Sequence, residues 1–178
     1  GPPKKMYKVN QSFSLRLDLG PDLFRAEHRQ MPSGGPMRLS NKLPTDLNPV
    51  IDRLGTRRKL PMSEAMNILS DLDFALEKID GQRDAIIALH QQVMNKASKG
   101  VSENSESYEE RIMAREMMTQ PRRPLDLDIF SQNIRIQPKA AQEIMENIQD
   151  RLMQDFVTNG KNFVSADKDT PLPWWLVR

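Results

Sequence analysis

The reading of this chain turns on Leu60–Gly100, LPMSEAMNILSDLDFALEKIDGQRDAIIALHQQVMNKASKG. Ala65, Leu69, Leu72, Leu76 and Ile79 recur at steps of three and four, which places them on one face of an α-helix. The same steps continue through Arg83, Ile86, His90, Val93 and Ala97, where the stripe turns partly polar. Ser63 stands where an N-cap is needed, and Glu64 suits the positive end of the helix dipole. Gly81 lies inside the segment. One internal glycine costs about 1 kcal/mol relative to alanine, which burial offsets, and the apolar steps stay in phase across it. One long helix is predicted, with a helical hairpin turning at Gly81 as the alternative. Its half before Gly81 reads as core. Its second half carries Arg83 and His90 among the apolar residues, so the face of Arg83, Ile86, Leu89, His90 and Val93 is expected to meet a partner.

Two further amphipathic helices follow. Ser107 and Glu110 have the capping-box spacing, which starts a helix at Tyr108 and ends it by Thr119, before Pro121. Met113 and Met117 share one of its faces. Pro138 opens the other helix, in which Ala141, Ile144, Met145, Ile148, Leu152 and Phe156 form the apolar stripe and Asn159-Gly160 the stop. Gly100–Ser107 reads as a polar linker.

Upstream of the long helix the chain changes character. Phe13, Leu15, Leu17 and Leu19 alternate with Ser14, Arg16 and Asp18, the period of a half-buried strand, and Gly20-Pro21 ends it. Asp22 would cap a short helical turn over DLFRAEHRQ. From Met31 to Pro61 the prolines and glycines Pro32, Gly34, Gly35, Pro36, Pro44, Pro49 and Pro61 forbid a long helix. One short helix from Thr45-Asp46 to Leu54, stopped by Gly55, fits within an otherwise extended, mobile arm. LDLDIF (125–130) and Ile134/Ile136 also alternate, so a small antiparallel β element of about 12–19 with 125–137 is expected; the competing reading is a short helix over 128–135.

Of the 178 residues, 26 are Lys or Arg and 24 Asp or Glu. Residues 1–59 carry 12 Lys/Arg against 5 Asp/Glu, a net +7, and the remainder 14 against 19, a net −5. A basic arm of this kind suits an anionic neighbour, and Arg53, Arg57, Arg58 and Lys59 are its candidate phosphate-binding residues. Base-stacking aromatics are scarce there, and no zinc-finger, RRM, KH or basic-zipper pattern is present. The absence of Cys excludes disulfides, thiolate catalysis and Cys-ligated zinc. The two histidines, His28 and His90, form no Ser/His/Asp constellation in the sequence. Asp71/Asp73 and Asp126/Asp128 lack the Gly and Glu of a calcium loop, and SGGP lacks the residues of a phosphate loop. No apolar run approaches the roughly 20 residues of a bilayer span, and no secretory signal pattern is present, which favours an intracellular setting.

These observations lead to a mainly α fold: a long central helix, two further amphipathic helices, an extended Pro/Gly-rich arm (1–59), a helical body (60–160) and a Pro/Trp tail (161–178). The expected function is that of a non-catalytic structural or adaptor subunit of a larger assembly, without cofactor or metal. Its partners would be other protein subunits. They would be held by the arm, by the second half of the long helix, and by Leu172, Trp174, Trp175 and Leu176, since Trp is enriched among interface hot spots. The alternative for the two tryptophans is core. The alternative function is a structural component of a ribonucleoprotein or virion that contacts RNA or DNA phosphates through the basic arm.

Overall fold

The computed structural model describes residues 1–8, 10–55, 59–159 and 173–176. Among them the fold is mainly helical, with one small antiparallel sheet. Two compact units divide after Gln91, inside the longest helix, a partition different from the compositional segments.

In the first unit, strands β1 (Phe13–Gly20) and β2 (Leu23–Gln30) pair antiparallel from Phe13↔Gln30 to Gly20↔Leu23. Pro21-Asp22 is the connection, with Pro at the second position of a four-residue turn, where its fixed φ is favoured. The strand near 12–19 therefore exists, but its partner is the segment expected to be a helical turn, not 125–137. Phe24, Ala26 and His28 alternate with Arg25, Glu27 and Arg29, and a neighbouring strand outweighs the isolated preference of Asp22 for a cap.

The Pro/Gly-rich stretch is not a loose arm. Helix α1 (Pro36–Leu39), two 3-10 turns (Ser40–Lys42 and Thr45–Leu47) and helix α2 (Asn48–Leu54) follow one another, with Pro49 in the first turn of α2 and Gly55 at its end. Gly55 has φ +26° and donates its N–H to the Ile51 carbonyl. Leu47 and Val50 pack on Ile68 and Ala75 of helix α3 (Met62–Asn104), with Leu43, Leu54, Leu60 and Leu72 around them.

Helix α3 is one unbroken helix of 43 residues, passing straight through Gly81. Its start differs from the expectation in detail. The Pro61 carbonyl accepts from the Ala65 N–H, so Ser63 lies inside the first turn instead of capping it. The buried face is also rotated: Ile68 and Ala75 are covered, whereas Leu69 and Leu76 are more than half exposed. Both sets obey helical spacing, and the contact with Leu47 and Val50 selects the first.

In the second unit α3 extends into the expected linker, as far as Asn104. Arg151 donates from Nη1 to the Asn104 carbonyl at 2.8 Å, satisfying an acceptor the helix end would otherwise leave open. Ser107 caps helix α4 (Tyr108–Thr119), accepting from the Glu110 N–H at 3.1 Å. The Glu110 carboxylate reaches back to the Glu106 N–H at 3.1 Å and is paired with Arg151, so α3, α4 and helix α6 (Pro138–Asn159) meet at one buried acid. LDLDIF is not a strand. Asp126 caps helix α5 (Leu127–Ile134), accepting from the Asp128 and Ile129 N–H groups, and Arg135 ends it in the left-handed region at φ 60°. Leu127, Phe130 and Ile134 then face the core, a helical stripe that competes with the alternation. Met113, Met117, Phe130, Ala141, Met145 and Ile148 are that core, and methionine fills the gaps that so few aromatics leave.

Candidate interaction surface

The hairpin lies on α3 in an unusual sense. A two-stranded sheet against a helix ordinarily turns its apolar face inward. Here the even-numbered positions of β1 meet α3. Arg83 donates from Nη1 to Asp18 Oδ1 at 3.0 Å and from Nη2 to Asp18 Oδ2, a two-pronged pair that planar guanidinium geometry favours. Arg16 stands 3.7 Å from Asp80, and Gly20 runs so close to the Gln91 side chain that a Cβ there would collide with it. Leu23 is the buried residue of β2 on this side. Next to it Glu27 is held at 2.8 Å by both Arg25 and Arg29. The bond from Arg83 holds the Asp18 carboxyl below the usual carboxylate range, and the same bond raises Arg83. The bond from Arg25, with the nearby charge of Arg29, lowers Glu27 in the same way.

The opposite face of the hairpin carries the apolar residues and is largely uncovered among the described residues. Phe13, Leu15, Leu17, Leu19 and Phe24 are 59–73% exposed, and Phe13 makes a tilted ring contact with His28, centroids 5.5 Å apart. Cross-strand pairing sets Leu15 opposite His28, Leu17 opposite Ala26 and Leu19 opposite Phe24, so the apolar side chains form one continuous strip. This surface was not anticipated. Its alternation is plain in the sequence, but nothing in a strand's own residues says which face the rest of the chain covers.

The sequence-predicted partner residues divide. Ile86 and Leu89 in the first unit, and Val93 just past it, are 58–68% exposed. Arg83 is not free for a partner, because Asp18 already holds it. His90 is half-buried, and its Nδ1 makes no hydrogen bond. Trp174, Trp175 and Leu176 form a 3-10 turn, and Trp174 packs on the core of the second unit, which fits the core alternative for this residue. Leu172 lies outside the described residues. So do Arg57 and Arg58 of the basic cluster; Lys59 is exposed, and Arg53 is engaged by Asp71 at 3.1 Å.

An open cavity of about 450 Å³ lies between the end of α4 and the start of α5, floored by Met117, Leu125 and Phe130 and rimmed by Glu116, Arg123 and Asp126. Asp126 there is occupied as the α5 cap. No group of three or more His, Cys, Asp or Glu suited to a metal occurs among the described residues, and none of their helices is long and apolar enough to cross a membrane. No protein-family model matches the chain, and comparisons with curated proteins and with solved structures found no match.

Proposed function

We propose that this chain is a non-catalytic structural or adaptor subunit of a larger protein assembly, joined to its neighbours through the outer face of the hairpin and the exposed stripe of α3. The observation that carries the reading is the hairpin's polarity. Its charged face is spent on α3, and its Phe/Leu face is left in water. Contiguous apolar surface of that kind on a water-soluble chain marks an interaction site. Ile86 and Leu89 of the first unit add further apolar surface that is exposed among the described residues. The nucleic-acid alternative draws on Lys59 and the N-terminal lysines, all exposed, and loses Arg53 to Asp71.

The test is chemical cross-linking and size analysis of the chain in its native source, wild type against Leu15→Arg/Leu17→Arg. The wild type should elute in a complex larger than the monomer, with cross-links from the lysines at positions 4–8 into neighbouring chains. The variant should lose both. Recovery of the wild type as a free monomer would sink the proposal. Salt-sensitive retention on RNA or DNA that Arg57→Ala/Arg58→Ala abolishes would put the alternative in its place.

A further inference from the structure

We propose that the outer face of the β1–β2 hairpin docks on the same face of a second copy of this chain. The inference rests on the assembly reading above and names the first neighbour in it. Charge, area and sheet architecture all select a second copy.

The outward positions, from Phe13 to Leu19 in β1 and from Phe24 to Gln30 in β2, contain no Lys, Arg, Asp or Glu. Within the hairpin Arg16, Arg25 and Arg29 are matched by Asp18, Asp22 and Glu27, so its formal charge is zero. The +7 excess of residues 1–59 therefore lies outside the hairpin, and two copies can bring these faces together without stacking like charges. A partner of strong charge would gain nothing from this surface.

Taking an ordinary residue surface of about 200 Å², the five exposed Phe and Leu residues present roughly 650 Å². Two copies would bury about 1,300 Å² together, inside the range of specific interfaces and well above most crystal contacts. The same patch at the top of the range for a monomer needs an occupant of matching size.

The sheet has α3 on its charged face, and its apolar face has no covering layer among the described residues. A second hairpin stacked about 10 Å away supplies it, with the two inner faces interdigitating as in a sandwich. An interface across a two-fold axis must be self-complementary. This one is a strip of leucines with Phe13 at the open end of the hairpin and Phe24 at the turn end. A two-fold axis lying across the strands sets each open end over the turn end of the other copy.

Sedimentation velocity on the whole chain, from about 1 to 200 µM, tests this. The wild type should pass from monomer to dimer with concentration. Leu15→Arg/Leu17→Arg should stay monomeric throughout, at least a hundred-fold weaker, with a thermal melt at about 1 µM lowered by no more than a few degrees, because both side chains are more than half exposed in the monomer. The chain has no cysteine, so Leu17→Cys introduces a single thiol. A short bis-maleimide should couple Leu17→Cys chains into dimers much faster than Met37→Cys chains, whose thiol lies on α1. A wild type monomeric at 200 µM, a dimer unaffected by the arginine pair, or equal coupling of the two cysteines would each overturn the inference. A monomeric wild type that still enters a larger complex in its native source would overturn self-docking while leaving the assembly reading intact. A monomeric wild type that floats with phosphatidylcholine vesicles would assign the face to lipid and overturn it as well.

Discussion

Replacing Leu15 and Leu17 together by threonine separates a solvent-facing sheet from a buried one. Threonine, being β-branched, favours a strand at least as well as leucine, so a loss of stability reports burial and not backbone propensity. A buried leucine side chain contributes about 1.5–3 kcal/mol, and truncation in a core adds a cavity cost. In the hairpin these two residues are 73% and 59% exposed, so only about a third of that contribution is realised. The pair should lower stability by roughly 1–1.5 kcal/mol, against about 4–6 kcal/mol if both belonged to a core. Ile68→Ala is the internal standard, because Ile68 is 3% exposed beneath α2 and should cost about 3 kcal/mol alone. Urea unfolding followed by circular dichroism, at about 1 µM so that association does not contribute, measures all three. A loss above about 3 kcal/mol for the threonine pair would show that the chain itself covers this face, and the interaction reading would fall with it.

Glu110→Gln preserves the shape of the buried acid but turns an amide toward Arg151; it should cost about 2 kcal/mol, and a double-mutant cycle with Arg151→Met should recover about 1 kcal/mol of coupling, while additive effects would show that the pair is only proximate. Gly81→Ala meets no atom within 4 Å and sits in continuous helix, so it should stabilise the protein by about 0.5–1 kcal/mol in denaturant unfolding; destabilisation would mean that the helix turns at this residue. Asp18 and Glu27 have lowered values in the folded state, so their contribution is present at neutral pH and is lost as the pH falls below about 4, through the folded values. Methyl NMR of Leu23 should follow the loosening of the hairpin over that acid window, and Asp18→Asn should show the loosened signal already at pH 7; identical spectra would remove the clamp.

Long periodic segments declared themselves. Helices α3, α4 and α6 each sustain a helical stripe for three turns or more, and Ser107 with Glu110 marks the α4 start by chemistry that the fold uses as written. The misread β2, and α5, whose helix stood only as the competing reading over 128–135, are 8 residues each, a length at which periods of two and of 3.6 overlap. Two signals would have corrected α5: Asp126 as a cap, and Leu127, Phe130 and Ile134 at helical spacing. The exposure of Ile86, Leu89 and Val93 on α3 was legible for a reason only half right. Arg83 does break the apolar stripe, but its counter-ion is Asp18, 65 residues earlier, a pairing that no local pattern shows. For the hairpin, alternation established two unlike faces, and the usual apolar-inward arrangement gave the wrong one to the core.

A sheet fastened by ion pairs instead of shared apolar volume can part from its support without opening either buried cluster. Both clusters lie elsewhere, one beneath α2 and one among α4, α5 and α6. Detachment of the hairpin is therefore a local event, with a free energy set by a few charged contacts and by Leu23, far below that of global unfolding. Its backbone amides should exchange with solvent deuterium long before those of the neighbouring helix, and faster as salt screens the pairs. Where a neighbour seals the Phe/Leu face, the same amides become among the slowest in the chain, so that hydrogen exchange at ten or so residues reports assembly directly.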